Sequence, residues 1–241
     1  MNGRPRFDRK TFLGAAAMSL GGAFSGLGAS TGDAIAANGP GAPTPAATTP
    51  EAGIELLKAG NARFVAGQSH CGPLTARRVE LANGQSPFAI ILSCSDSRVP
   101  VETVFDQMPG NLFSVRVAGN FLNNDGLGSI EYAVAVLKST LILVLGHSSC
   151  GAVEATVAFL KNGAAQPSHI QALITALEPA AKAAKSEPGD WLANAIVENV
   201  KQNVAAAPVR SSIVADSVKA GKLGVIGGVY DLKSGVVKFL G

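Results

Sequence analysis

Two short segments of the chain carry residue types that bind a soft metal ion. The first reads Cys-Ser-Asp-Ser-Arg from Cys94 to Arg98, and the second reads His-Ser-Ser-Cys-Gly from His147 to Gly151. Thiolate and imidazole are ligands that zinc prefers in a tetrahedral site, and a carboxylate can complete the set. The two segments therefore predict a zinc site. The first would supply one thiolate and one carboxylate, and the second one imidazole and one thiolate.

Each segment directly follows an apolar run that is typical of a buried parallel strand. Residues 88–92 read Phe-Ala-Ile-Ile-Leu, and residues 141–145 read Leu-Ile-Leu-Val-Leu. In an open α/β sheet, binding sites form at the carboxyl ends of neighbouring strands. We therefore expect the two segments to meet in space although they lie far apart in the sequence.

The pattern Cys-x-Asp-x-Arg, followed some fifty residues later by His-x-x-Cys, resembles the signature of the β-class carbonic anhydrases. The similarity runs from about Pro50 to the C-terminus and includes Phe-Asp-Gln from Phe105 and Val-Arg-Val-Ala-Gly-Asn from Val115. The resemblance implies a zinc-dependent lyase, a carbonate dehydratase, that reversibly hydrates carbon dioxide to bicarbonate and a proton. It also implies one Zn²⁺ per chain and a zinc-bound hydroxide as the attacking group.

The resemblance further implies roles for individual residues. Cys94, His147 and Cys150 match the three permanent zinc ligands. Asp96 matches an aspartate that either takes the fourth zinc position or pairs with the arginine at Arg98, which leaves that position to water. A bidentate carboxylate–guanidinium pair is strong and directional, so such a switch has a physical basis. Asp96 and Arg98 are therefore the predicted catalytic residues, with Asp96 orienting the reactive oxygen.

Gln85, Phe113 and Tyr132 match the substrate pocket of that family by their spacing from the ligands. The Gln85 amide would donate a hydrogen bond to an oxygen of CO2 or bicarbonate, and the two aromatic rings would form the apolar wall that an uncharged substrate needs. Ordinary alternatives stay open. Phe113 and Tyr132 could be core residues of a strand and a helix, and Gln85 could be a solvated turn residue.

Strands and helices alternate along the catalytic region, which predicts a parallel sheet with crossover helices. An amphipathic helix opens the region, and a polar loop from Ser69 to Gly84 follows it. The two last apolar runs are separated by Ser-Gly, which predicts an antiparallel hairpin at a sheet edge. The fold class is therefore α/β, a mostly parallel central sheet flanked by helices with an antiparallel C-terminal edge hairpin. The predicted strands span residues 88–93, 112–117, 140–146, 222–231 and 236–240, and the later helices span residues 100–107, 127–138, 150–161, 168–185 and 189–219.

The N-terminal part differs from the rest of the chain. A basic start, a weakly apolar Gly/Ala-rich stretch and Ala-Ile-Ala at 34–36 predict an export signal over residues 1–36. The segment beginning at Asp8 is similar to a twin-arginine motif with lysine in the second basic position. Residues 37–49, rich in Pro, Ala and Thr, predict a linker before a carbonic anhydrase domain over residues 50–241. A disordered tail or a membrane anchor is the alternative for the first segment.

These features predict an exported protein, periplasmic in a Gram-negative cell, that meets the membrane only during export. The chain has 20 basic and 17 acidic residues, with no basic cluster inside the globular part. Nucleic acid is therefore not an expected partner. Three cysteines, two of them predicted ligands, exclude a disulfide framework and leave Cys71 as an incidental thiol.

The expected small-molecule partners are CO2 and bicarbonate, and the resemblance implies a homodimer or a dimer of dimers with the pocket at a subunit boundary. Two other functions remain open at this point. One is hydrolysis of a CO2-like sulfur compound, carbon disulfide or carbonyl sulfide, with the same ligands. The other is a noncatalytic zinc-binding or scaffold protein. Asp96, Arg98 and Gln85 argue against the scaffold, because a structural zinc needs none of them.

Overall fold

The computed structural model describes residues 47–70, 74–163 and 165–240, all of which belong to the compact unit Asn38–Gly241. The predicted export signal, almost all of the predicted linker and Cys71 lie outside the described residues. Within the described ranges, no helix has both the length and the apolar character needed to cross a membrane.

Among the described residues a five-stranded sheet forms the centre of the domain, in the order β2-β1-β3-β4-β5. The first four strands pair in parallel, and β5 runs antiparallel to β4 at the edge. Both β1 and β3 are buried along their whole length, which explains their uninterrupted apolar sequences. The predicted fold class, including the C-terminal edge hairpin, is confirmed. The strands are β1 (Ala89–Ser93), β2 (Leu112–Arg116), β3 (Leu141–His147), β4 (Gly224–Tyr230) and β5 (Val237–Leu240).

Helices cover both faces of the sheet, and successive residues of β1 point to opposite faces. Ile91 packs in a core cluster with Leu57 and Phe105, whereas Ile90 packs with Ile130 and Val200 in the cluster on the other face. The helices are α1 (Pro50–Val65), α2 (Leu74–Leu81), α3 (Val101–Val104), α4 (Asn124–Ala135), α5 (Gly151–Asn162), α6 (Ile170–Ala183), α7 (Trp191–Arg210) and α8 (Ser212–Lys219).

Two glycines let α7 approach the sheet closely beside the carboxyl end of β3. A Cβ atom added at Gly146 would lie 2.8 Å from Val200 Cγ2, and a Cβ atom added at Gly227 would lie 2.6 Å from Val200 Cγ1. Interiors are packed too tightly to absorb such overlaps without movement of the helix. The backbone next to His147 is therefore fixed against α7.

The expected polar loop from Ser69 to Gly84 is wrong in part, because it contains α2. No residue of α2 is buried, and only three of its eight residues are large and apolar, so the sequence pattern of a helix packed on a core is weak here. Side-chain bonds attach it instead: Arg77 donates to the carbonyl oxygen of Pro109 at 3.1 Å and to Asn111 Oδ1 at 3.2 Å.

Two predicted helices differ in extent from the observed ones. The helix expected over residues 100–107 is the single turn α3, and Asp106 just beyond it has a positive φ of 46°, which a helix cannot continue through. The helix expected over residues 189–219 divides at Ser211. This residue is extended, and its hydroxyl accepts a hydrogen bond from the Val214 N–H, so it caps the start of α8.

Candidate metal centre

The two ligand segments meet at the carboxyl ends of two neighbouring strands. Ser93, the last residue of β1, pairs with Leu145 of β3, so Cys94 lies level with the residues just before His147. One ligand atom from each of Cys94, His147 and Cys150 lies within 4.8 Å of the other two, and all three residues are buried. The convergence expected from the sequence is therefore present in the structure.

A tight turn between β3 and α5 orients the second segment. Ser149 has a positive φ of 54°, and Cys150 is the N-cap of α5. The turn is fixed to the end of β4, because the Ser148 N–H donates to Tyr230 O at 2.9 Å and the Leu232 N–H donates to Ser148 Oγ at 2.9 Å. The contact with Cys94 and burial raise the pKa of the Cys150 thiol, and the backbone N–H groups at the start of α5 oppose that rise without reversing it.

The imidazole of His147 is oriented for a ligand at Nε2. Its Nδ1 lies 3.0 Å from the carbonyl oxygen of Ser148, and because a carbonyl only accepts, Nδ1 carries the hydrogen. Nε2 then has a free lone pair. This atom is buried and has no hydrogen-bond partner among the described residues. A buried polar atom without a partner is unfavourable, and a metal ion between the two sulfurs would satisfy it.

The two thiols lie 4.0 Å apart and share a strongly coupled environment. Hydrogen bonding from the Cys150 side chain lowers the pKa of the Cys94 thiol against the opposing effect of burial, and the backbone N–H of Gly119 lowers it further. The same contact with Cys94, together with burial, raises the pKa of Cys150. One thiolate is thus favoured without metal, and a cation that binds both sulfurs would displace the remaining proton.

Asp96 and Arg98 form a bidentate pair beside these ligands. Arg98 Nε donates to Asp96 Oδ1 at 2.9 Å, Nη2 donates to Oδ2 at 2.7 Å, and the Arg98 backbone N–H donates to Oδ1 at 2.9 Å. This pairing holds the pKa of the Asp96 carboxyl well below its usual range. Arg98 Nη2 also reaches Ser149 O at 3.3 Å, and Asp96 Oδ2 lies 3.9 Å from His147 Nε2. The pair therefore joins the two ligand segments at the edge of the site.

The three residues predicted to bind substrate lie outside the two ligand segments. Phe113 and Tyr132 are together, with ring centroids 6.3 Å apart, and Tyr132 is 42% exposed rather than in the core. Phe113 pairs with Ile90, four residues before Cys94, which is about 13 Å along a strand. Gln85 is exposed in the segment before β1. Phe113, and with it Tyr132, therefore lies away from the metal ligands of its own chain.

Arg116 is a site residue to which the sequence interpretation gave no role beyond membership of a shared stretch. At the end of β2, its Nε donates to Cys94 O at 3.0 Å and its Nη2 donates to Asp96 O at 2.6 Å. These bonds fix the backbone that carries both residues. The sequence signal for this role was a charged residue at the carboxyl end of a predicted strand. That signal could be interpreted only with the knowledge that β2 lies beside β1.

Comparison with known proteins agrees with this geometry. The family model for carbonic anhydrase matches residues 89–237. A carbonic anhydrase of Mycolicibacterium smegmatis is 41% identical over 196 residues, covering 79% of this chain and 93% of that protein. The solved β-carbonic anhydrase of Coccomyxa is 26% identical with a TM-score of 0.59, covering 79% of this chain and 82% of that one. A tetrameric β-carbonic anhydrase of Sordaria macrospora shares the fold with a TM-score of 0.61 at 24% identity, covering 78% of this chain and 97% of that one. The chain belongs to the β-class carbonic anhydrase family.

Proposed function

We propose that the protein is a zinc enzyme that reversibly hydrates CO2 to bicarbonate and a proton. Membership of the family supports the carbonic anhydrase activity. The observation that supports zinc is the buried, unpartnered Nε2 of His147 beside two buried sulfurs, because this soft donor set suits zinc. Three protein donors leave one tetrahedral position open, which is typical of a catalytic rather than a structural zinc.

Zinc held by Cys94, His147 and Cys150, one ion per chain, would supply a hydroxide near neutral pH to attack CO2. The residues of the chain would orient that reaction. Asp96 Oδ2, near His147 Nε2 and fixed by Arg98, can accept a hydrogen bond from the reacting oxygen. Because Arg98 keeps the pKa of Asp96 low, this carboxylate is a weak base, so its role is orientation rather than proton removal.

The test is stopped-flow CO2 hydration by purified mature protein whose metal content has been measured. We expect about one zinc per chain, loss of activity on removal of zinc with a chelator, and recovery when zinc is restored. Full activity in metal-free protein would contradict the proposal. A parallel assay with carbonyl sulfide separates the two enzyme functions, because hydrolysis of that compound without CO2 hydration would reassign the substrate.

We also propose that the active form is a homodimer or a dimer of dimers, with CO2 bound where subunits meet. Three observations support this. Phe113 of the aromatic pair lies about 13 Å along the sheet from Cys94 of its own chain, β2 is an edge strand among the described residues, and a relative of the same fold is tetrameric. In that arrangement a second subunit would supply Gln85, Phe113 and Tyr132 to the pocket.

Sedimentation at the concentration used for the activity assay tests the oligomeric state. We expect a dimer or a tetramer, and we expect activity per chain to fall on dilution into the range where the assembly dissociates. A monomer with full activity per chain would contradict a pocket shared between subunits.

The proposal for residues 1–36 is that they are an export signal removed near Ala36, which would place the mature protein in the periplasm of a Gram-negative cell. Its support is the basic, apolar and small-residue pattern of the sequence. Mass spectrometry of the mature N-terminus is the test, and an intact Met1 or Asn2 on cytoplasmic protein would contradict it.

A further inference from the structure

The loop between β2 and α4 donates a backbone hydrogen bond to one of the candidate metal ligands. The Gly119 N–H lies 3.3 Å from Cys94 Sγ. Gly119 has a φ of +87°, and a Cβ atom there would lie 2.7 Å from Leu177 Cδ1. A glycine therefore lets the backbone pack against α6 and approach the sulfur at the same time.

A buried asparagine of α7 holds the other side of this glycine. Asn199 is 2% exposed, and its Nδ2 donates to Gly119 O at 2.9 Å. The amide cannot easily turn round, because its Oδ1 accepts a hydrogen bond from Asn203 Nδ2 at 3.0 Å. Gly119 is thus fixed at both its N–H and its carbonyl group.

The same face of α7 holds the rest of the loop. Asn203 Oδ1 accepts from the Leu122 N–H at 2.8 Å, and Arg210 Nη1 donates to Leu122 O at 2.6 Å. Asn199, Asn203 and Arg210 are spaced by four and seven residues, which places them on one side of a helix. One polar stripe of α7 therefore sets the position of the loop relative to Cys94.

We propose that Asn199 is a positioning residue for the metal centre: by holding the Gly119 carbonyl, it keeps the Gly119 N–H on the Cys94 sulfur. The inference rests on the zinc site of the proposed function. A hydrogen bond to a ligand sulfur withdraws electron density from it, so the metal receives less charge and stays a stronger Lewis acid. Asn199 acts on the metal through the backbone and touches neither the ligands nor the substrate.

The test uses the full protein with cobalt(II) in place of zinc, and compares wild type with Asn199→Ala. Without the amide, the Gly119 N–H should move off the sulfur, and the more electron-rich thiolate should shift its charge-transfer band to cobalt to longer wavelength. Zinc affinity, measured by competition with a chelator, should fall by about 10- to 100-fold, as is usual when a partner of a metal ligand is lost. Neither measurement depends on turnover.

Asn61→Ala is the matched control. Asn61 is 5% exposed on α1, and its Nδ2 donates to Val104 O at 3.1 Å and to Gly235 O at 2.9 Å, neither of which is in a ligand segment. Both variants should lower the melting temperature, because both leave buried backbone groups unpaired. Only Asn199→Ala should move the cobalt band.

A folded Asn199→Ala protein with the wild-type band position and zinc affinity would overturn the inference. If that variant does not fold, Asn203→Ala is the test of the inference, because it removes the hydrogen bond that holds the Asn199 amide and leaves Asn199 in place. We expect a smaller shift in the same direction, and an unchanged band would again overturn the inference. A wild-type protein that binds neither zinc nor cobalt would instead refute the proposed function and this inference with it.

Discussion

Replacing Cys150 by serine should abolish zinc binding and CO2 hydration together. Cys150 is buried, and its sulfur is one of three donor atoms that converge on one point. A hydroxyl is a harder donor than a thiol and does not ionise near neutral pH, so it cannot replace a thiolate on zinc. Hydration should fall to the uncatalysed background, with metal content per chain and stopped-flow rates measured on the same sample.

Cys71→Ser is the control for Cys150→Ser, since it removes a cysteine that the sequence leaves outside the ligand set. It should keep one zinc per chain and the wild-type rate. Loss of zinc in Cys71→Ser, or retention of zinc and activity in Cys150→Ser, would show that the ligands have been assigned to the wrong residues.

The sequence predicted the metal centre because its determinants are local. The two ligand segments follow the apolar strands β1 and β3, and strands buried on both faces are hard to mistake for anything else in an alternating α/β pattern. The parallel pairing of those strands then makes the segments meet. No contact with a distant side chain was needed for that inference.

Features that depend on distant contacts could not be predicted in the same way. The exposed helix α2 is attached through Arg77 to backbone and side-chain oxygens, and because none of its residues is buried, its hydrophobic period in the sequence is weak. Arg116 and Asn199 are polar residues in ordinary elements, and their partners at Cys94 and Gly119 are known only once strand order and helix packing are known. The sequence signals were a charged residue at the end of a predicted strand for Arg116 and a second asparagine four residues on for Asn199, and neither signal names a partner.

Arg98→Ala should leave zinc content near one per chain while CO2 hydration falls by about 10- to 100-fold, the range expected for a residue that holds a functional group beside a metal. The substitution removes both side-chain bonds to Asp96, whose Oδ2 is 3.9 Å from His147 Nε2. The freed carboxylate can turn toward the ligands and occupy the open position. The hydration rate of Arg98→Lys should lie between those of the wild type and Arg98→Ala, because lysine keeps the charge but not the bidentate geometry.

The pair should stay formed across the pH range of an activity assay. Because Arg98 depresses the pKa of Asp96 in the folded protein, the stabilisation from their pairing is fully present at neutral pH and is lost progressively as pH falls from the ordinary range of an aspartate carboxyl through that low value. A fall in activity between neutral pH and mild acid in the wild type should therefore not come from protonation of Asp96. In Arg98→Ala the pKa of Asp96 should rise. The zinc content retained at acid pH is then a second measure of the loss of the Asp96–Arg98 pair.

Asp96→Asn should also lower hydration, for a different reason. An amide cannot compete for the open position as a carboxylate does, but it no longer accepts and orients the reacting oxygen in the same way. If Arg98 acts only through Asp96, combining Arg98→Ala with Asp96→Asn should reduce the rate by clearly less than the product of the two single reductions. Rates of all four proteins at equal zinc content complete this double-mutant cycle. A double variant whose loss equals that product, or an Arg98→Ala protein with wild-type turnover near neutral pH, would show that this pair does not control access to the metal.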